Sequence, residues 1–306
     1  MKKILTVSSA NMDFVMDMPE IPASGQTVIC TGAYKYVPGG KGANSAVAFA
    51  RLGAESVFCT CLGNDTNGDT LLSIYNMEGI ATDFIERTDE SPTGLAAIMV
   101  DDLGANRIAV YPGANMKIGD KAIENAIASR PDALYMQMEI AHKSIVFAAN
   151  AARAAGIPIF IDAGPADPKF PFEELPPLEI FSPNESETEI LTGIFPKDGA
   201  SCLAAAQKLS TLVRSHYYVI KLGERGCFVT DLTESFAQPS FKTSVVDTTA
   251  AGDSFTAALT LEYLKSGDIK LAARYANAVG ALAVSKAGAI PSIPTQKDVD
   301  RFLSTQ

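Results

Sequence analysis

Val246-Asp247-Thr248-Thr249-Ala250-Ala251-Gly252-Asp253-Ser254-Phe255 is the stretch on which the reading of this chain turns. Ala250, Ala251 and Gly252 are small enough to let another molecule approach the backbone, and Ser254 to Lys265 (SFTAALTLEYLK) has the composition of a helix. A small-residue turn opening a helix directs unpaired N–H groups and the positive end of the dipole outward, which suits an anion. Asp253 stands at the mouth of the turn. From this stretch alone it serves equally well as a helix cap or as a base.

Composition narrows the classes. The chain has 306 residues, 47% of them apolar, and a mean hydropathy of +0.12, the profile of a globular protein. A net charge of −10 with no compensating Lys/Arg cluster argues against nucleic acid or an anionic membrane as partner. The opening Met1-Lys2-Lys3-Ile4-Leu5-Thr6-Val7 reads as a first strand, interrupted too soon by Ser8, Ser9 and Asn11 to be a signal peptide. No apolar run approaches the roughly 18 residues of a spanning helix. Cys30, Cys59, Cys61, Cys202 and Cys227 are odd in number and lack framework spacing, so reduced thiols and a cytoplasmic address are expected. His142 and His216 are too few for a His-based zinc site or a Ser/His/Asp triad.

Along the chain, residues 4–10 read as a buried strand that delivers Asn11 and Asp13, two apart and therefore on one face. Such a pair can grip vicinal hydroxyls or simply make a turn. Residues 14–16 and 26–37 then read as strands with no helix between them. A second such excursion covers 93–100 and 106–111, paired across a turn at Asp101-Asp102-Leu103-Gly104. Elsewhere strands over 56–62, 81–86, 133–137, 157–161, 179–181 and 217–221 alternate with helices over 46–52, 69–78, 120–129, 143–155, 186–192 and 200–212. A hairpin of 227–230 with 235–236 precedes the opening stretch, and a last long helix spans 269–285. This rhythm implies an α/β fold with a mostly parallel sheet covered by helices on both faces. The two excursions of antiparallel strand, about 14–37 and 93–111, would form a small β-sheet lid on a single domain of residues 1–306. The lid has enough apolar surface for a homodimer to form through it. Ligands of such sheets bind beyond the carboxyl ends of the strands, where Asp13, Glu139, Asn184 and Gly223 fall.

Between the lid segments lies Pro38-Gly39-Gly40-Lys41-Gly42-Ala43-Asn44, with three glycines in four residues. It is not a Walker A loop, and no Gly-x-Gly-x-x-Gly follows the first strand. Gly39 to Asn44 early and Asp247 to Asp253 late form the motif pair of the PfkB sugar-kinase family. Met136-Gln137-Met138-Glu139, Ser182-Pro183-Asn184-Glu185-Ser186-Glu187, Leu222-Gly223-Glu224-Arg225-Gly226 and Lys286-Ala287-Gly288-Ala289-Ile290-Pro291-Ser292 follow the family's order. From residue 4 to the end the chain resembles this family, and within it the ribokinase branch.

The resemblance implies a ribokinase-like fold and ATP-dependent phosphorylation of the primary 5-hydroxyl of D-ribose. It implies Asp253 as the base, the turn Ala250-Ala251-Gly252-Asp253 as an anion hole, and Asn11, Asp13, Gly40, Lys41, Asn44 and Glu139 around the sugar. Asn184, Lys221, Gly223, Gly226 and Asn277 would serve the nucleotide, with Glu187 near its Mg²⁺. An activating monovalent cation, K⁺, would sit among Asp247, Thr249, Ala283, Lys286, Gly288 and Ser292. Several residues depart from the pattern: Ser8-Ser9-Ala10 before Asn11, Lys221 in place of Thr, Asp162-Ala163-Gly164-Pro165 in place of Asn-Pro-Ala-Pro, and Asn277 in place of His. Rival readings are a relative acting on 2-deoxyribose, fructose or a nucleoside, and a sugar-binding regulator without catalysis. A nucleoside would need an apolar slot under the lid, from Phe14, Ile98, Ile108 or Val110.

Overall fold

Ile4, Leu5 and Val7 carry no exposed surface, because their strand β1 (Lys3–Val7) runs through the middle of a nine-stranded sheet. A continuous apolar run of this kind marks a parallel strand buried on both faces. The computed structural model describes residues 1–306 except 31 and 104. On one side of β1 lie β4 (Glu55–Gly63) and β5 (Ala81–Thr88). On the other lie β8 (Ala133–Met136), β9 (Ile159–Asp162), β10 (Leu178–Ser182) and β11 (Ser215–Lys221), all parallel. Beyond β11 come β12 (Cys227–Thr230) and β13 (Ser235–Gln238), which turn antiparallel because a short hairpin joins them.

One face of the sheet is covered by α1 (Lys41–Arg51), α2 (Thr66–Met77), α7 (Ala251–Ser266), α8 (Ile269–Val284) and α9 (Gln296–Leu303). The opposite face carries α3 (Asp120–Ala128), α4 (His142–Ala154) and α6 (Gly199–Leu212), with α5 (Glu185–Thr192) beside them. Large side chains such as Phe49 and Phe160 are fully buried, each contributing roughly 1.5–3 kcal/mol. α9 was absent from the sequence reading. It has only eight residues and is started by a reciprocal Thr295–Asp298 capping box. No helix among the described residues is long and apolar enough to cross a membrane.

A second sheet contains β2 (Asn11–Met18), β3 (Tyr34–Gly39), β6 (Gly94–Asp101) and β7 (Asn106–Tyr111), in the order β3-β2-β6-β7. Each excursion is antiparallel within itself, but the two meet through a parallel β2–β6 pairing, so the sheet is mixed. The strand expected over 26–37 begins only at Tyr34. Residues 26–30 have no regular structure, and Ile29 is exposed. The expected turn at 101–104 includes Gly104, which lies outside the described residues. Asn11 and Asp13 open β2 instead of closing β1, which ends at Val7.

Register then fixes the faces. Opposed residues share a side, so Asn11, Asp13 and Val15 lie with Ala96, Ile98, Ile108 and Val110. Phe14 points the other way, where its ring stacks on Tyr36 and meets Tyr34 edge-on. The apolar slot expected from Phe14, Ile98, Ile108 and Val110 therefore loses Phe14.

Candidate active site

Two helix starts meet at the carboxyl end of β1. Gly40 precedes α1 at φ 92°, and a Cβ there would stand 2.6 Å from the Asn11 nitrogen. A Cβ on Gly42 would lie 2.5 Å from the Ser9 carbonyl oxygen. Glycine at both places seats α1 directly on the link between the two sheets, which sets Lys41 and Asn44 over it. The second start is α7. Ala250 is left-handed at φ 61°, and the helix begins at Ala251. The N–H groups of Gly252 and Asp253 donate to nothing among the described residues, whereas that of Ala251 reaches Thr248 O at 3.3 Å. Asp253 is the third helical residue and makes no capping bond, so the cap reading falls.

The Asp253 carboxylate is buried among donors. Asn44 Nδ2 donates to its Oδ2 at 2.9 Å and Gln137 Nε2 to its Oδ1 at 3.4 Å, while Ser45 Oγ donates to its main-chain carbonyl at 3.3 Å. Burial raises its pKa, with the charge of Lys41 opposing, so its proton affinity moves toward that of a useful general base. Glu139 follows β8, and its Oε2 accepts from Ser9 Oγ at 2.5 Å and Lys41 N–H at 3.3 Å. Near it a cavity of about 700 Å³ is lined by Val110, Pro112, Met116, Met138, Glu139 and His142, uniting lid and body.

Asp13 completes the acidic group. Burial, then the charges of Glu139 and Asp253, push its pKa up to about 7. The native state therefore holds a proton that the unfolded chain releases near pH 4, and stability falls as pH rises from about 4 through about 7. Asp13→Asn is accordingly expected to melt about 3 °C or more above wild type at pH 8, with the gap shrinking at pH 5. A sugar-free thermal-shift series against pH checks this; a gap that does not depend on pH contradicts it.

Beside α7 lies a buried ion pair. Lys221 Nζ donates to Asp162 Oδ2 at 2.5 Å, and Thr256 Oγ1 donates to the same oxygen at 2.6 Å. The ammonium lies 3.8 Å from where a Cβ on Gly252 would be, alongside the open turn. Two of the departures in sequence, Asp162 and Lys221, are thus partners. Glu187 is buried near them, and burial raises its pKa against the pull of Lys221.

The other nucleotide candidates stand farther from Asp253 in their contacts. Asn184 caps α5: its Oδ1 accepts from Glu187 N–H at 2.8 Å, and Glu187 Oε2 accepts from Asn184 N–H at 2.7 Å. Asn277 Nδ2 donates to Ala273 O at 2.9 Å within its own helix. Gly223 and Gly226 bound a short turn with φ of 56° and 91°. A Cβ on Gly226 would lie 2.0 Å from the Gln238 carbonyl oxygen, so this glycine is required for β13 to pass.

In the candidate cation loop, Asp247 Oδ1 accepts from the Thr249 N–H at 2.9 Å and Oγ1 at 2.6 Å, and its Oδ2 from Gly288 N–H at 2.8 Å. Burial works against its charge, but these bonds prevail and hold its carboxyl below the usual range. Val246 N–H donates to Val284 O at 2.8 Å, bringing the carbonyl end of α8, with Ala283 and Lys286, against the loop. Buried Ser292 donates its hydroxyl to Ala289 O at 2.8 Å. A carboxylate, main-chain carbonyls and a hydroxyl are all oxygen donors, the chemistry that a hard cation such as K⁺ would need at this loop.

Sequence reasoning missed Gln137 as a site residue. Gln137 is fully buried and also donates to Lys41 O and Ser45 Oγ, both at 3.0 Å. Its signal in the sequence was its place in Met136-Gln137-Met138-Glu139, at a strand end beside Glu139.

The pfkB family carbohydrate kinase profile matches residues 1–296. A ribokinase of Haemophilus influenzae is 36% identical over 307 residues, covering 99% of each chain. One of Bacillus subtilis is 33% identical over 306 residues, covering 99% of this chain and 100% of that one. The structure of Arabidopsis thaliana ribokinase complexed with ribose and ATP superposes with a TM-score of 0.90 at 31% identity, covering 99% of both chains. With this fold, these motifs and a match over nearly the whole length, the chain belongs to the pfkB family of carbohydrate kinases.

Proposed function

We propose that this protein transfers the γ-phosphoryl group of MgATP to the primary hydroxyl of D-ribose, giving D-ribose 5-phosphate. The observation that carries the reading is Asp253, buried at the open start of α7 between Asn44 and Gln137, where two N–H groups are unbonded among the described residues. Asp253 takes the proton of the attacking 5-hydroxyl, and the N–H groups of Gly252 and Asp253, with that of Ala251, stabilise charge on the moving phosphoryl group. Lys41 adds a cation on the sugar side.

Asn11, Asp13, Gly40, Lys41, Asn44 and Glu139 hold the sugar. Asn184, Lys221, Gly223, Gly226 and Asn277 border the nucleotide, and Glu187 would help hold its Mg²⁺, which would neutralise charge on the phosphates. K⁺ among Asp247, the carbonyls of Thr249, Ala283, Lys286 and Gly288, and Ser292 would supply fixed positive charge close to the anion hole. The small sheet acts as a lid of the single domain 1–306, excluding water that would otherwise hydrolyse ATP. Exposed Tyr34, Tyr36 and Tyr111 on the lid support a homodimer through it. We place the protein in the cytoplasm, where its five free thiols stay reduced. Phosphorus NMR of the product tests the transfer. Ribose 5-phosphate is expected, with no reaction on 5-deoxyribose; ribose 1-phosphate overturns the assignment.

A further inference from the structure

Asn11 faces the cleft in one orientation only, and the cause lies outside the sugar site. Ala10 N–H donates to Asn115 Oδ1 at 2.8 Å. A backbone N–H cannot reverse its role, so Asn115 must present its Nδ2 on the other side. That nitrogen donates to Asn11 Oδ1 at 2.7 Å. Both side chains are buried, Asn115 completely. Asn11 Nδ2 has no hydrogen-bond partner among the described residues and is not sealed from the cleft.

The surroundings are shaped for this relay. Asn115 sits in a one-turn 3₁₀ segment (Gly113–Lys117), entered by Gly113 at φ 52° and anchored by Ala114 N–H on Pro92 O at 2.8 Å. Gly94, paired with Asn11 in the small sheet, leaves room for the bond: a Cβ there would lie 2.2 Å from Asn11 Oδ1 and 2.4 Å from Asn115 Nδ2.

We propose that Asn115 is a specificity-determining positioning residue, which fixes Asn11 as a hydrogen-bond donor toward the sugar. This rests on the sugar-kinase reading above. Asp13, on the same face, accepts from a sugar hydroxyl, and Asn11 donates to one. A diol is thereby held by one acceptor and one donor. With Asn11 reversed, two acceptors would face the diol, and one sugar oxygen would lose its partner.

Asn115→Asp keeps the shape and the bond from Ala10 but turns an oxygen toward Asn11, which then swings its nitrogen inward and its oxygen to the cleft. The test is a kinetic cycle of wild type, N115D, N11A and the double variant, run on the sugar that wild type prefers. KM for the sugar is expected to rise about tenfold in N115D, with kcat and KM for ATP within about threefold. In the N11A background the same change should add nothing, because Asn115 acts through Asn11. An unchanged KM in N115D, or effects that multiply in the double variant, overturns the proposal. Asn115→Ser supports the same cycle should N115D fail to fold. Wild-type preference for a sugar other than ribose sinks the ribose reading alone and leaves this cycle to be run.

Discussion

Asp253→Asn lowers kcat by at least about 10² to 10⁴-fold, the usual range for a lost general base, while sugar binding stays within a few-fold. The amide is close in shape to the carboxylate and still offers an oxygen to Asn44 Nδ2, which now donates at 2.9 Å. It has no affinity for the proton that the attacking hydroxyl must lose. The residual rate reports the open N–H groups of α7 and the positioning of the two substrates. Steady-state turnover together with sugar affinity by calorimetry checks this. Near-normal turnover would remove Asp253 from the chemistry, and a parallel loss of sugar binding would make it a binding group.

Lys41→Met should lower kcat/KM at pH 7 by about 10² to 10³-fold and move the acid limb of the pH profile upward. Lys41 is held strongly protonated, chiefly by the charge of Asp253 and against its own burial, with Asp162, Glu139 and Glu187 adding to the effect. Removing Lys41 leaves Asp253 and the incoming phosphoryl group without this cation beside them, and it also costs folding stability, about 3–5 kcal/mol when a buried pair is broken in comparable cases. The sign follows from the same charges. Lys41 opposes the upward shift of Asp253, so its removal raises that pKa further, and a base works only above its pKa. Measuring kcat/KM for the sugar from pH 5 to 9 decides the point. A depressed rate with an unmoved acid limb would mean that Lys41 only binds sugar.

Much of this arrangement was legible in the residues, for definite reasons. Alternating apolar strands and amphipathic helices dictate a parallel sheet, and the small-residue turn before Asp253 announces an open helix start. Gly40 and Gly42 mark close backbone approach, and both are filled to within 2.6 Å of where a Cβ would be. Less visible were features that depend on tertiary pairing. The parallel join of β2 to β6 links strands that only the folded chain brings together. Residues 26–30 have strand-like composition but no regular structure. Asn115 and Gln137 act through partners about a hundred residues away, 104 in the case of Asn115 and Asn11, and spacing carries no trace of such bonds. Two of the residues that the resemblance assigns to the nucleotide also carry structural duties that only the fold reveals: Gly226 makes room for β13, and Asn184 caps α5.

The acid group itself shows why composition alone understates the site. Asp13, Glu139 and Asp253 come from three separate segments, and burial of Asp13, then the charges of the other two, push it up to about 7. A sugar hydroxyl entering this group meets Asp13, partly protonated near pH 7, and the ammonium of Lys41. That combination suits a neutral polyol better than an acidic sugar, whose carboxylate would add to the repulsion.

The measurement that bears most directly on the account is coupled ADP production by the purified protein with MgATP and K⁺. It would compare D-ribose, 2-deoxyribose, fructose, adenosine and inosine. D-ribose is predicted to lead in kcat/KM by about a hundredfold, roughly 2.7 kcal/mol of discrimination. A leading nucleoside would contradict it and turn the cavity beneath Val110 into a base pocket, and ADP release indifferent to any sugar would contradict the transfer itself.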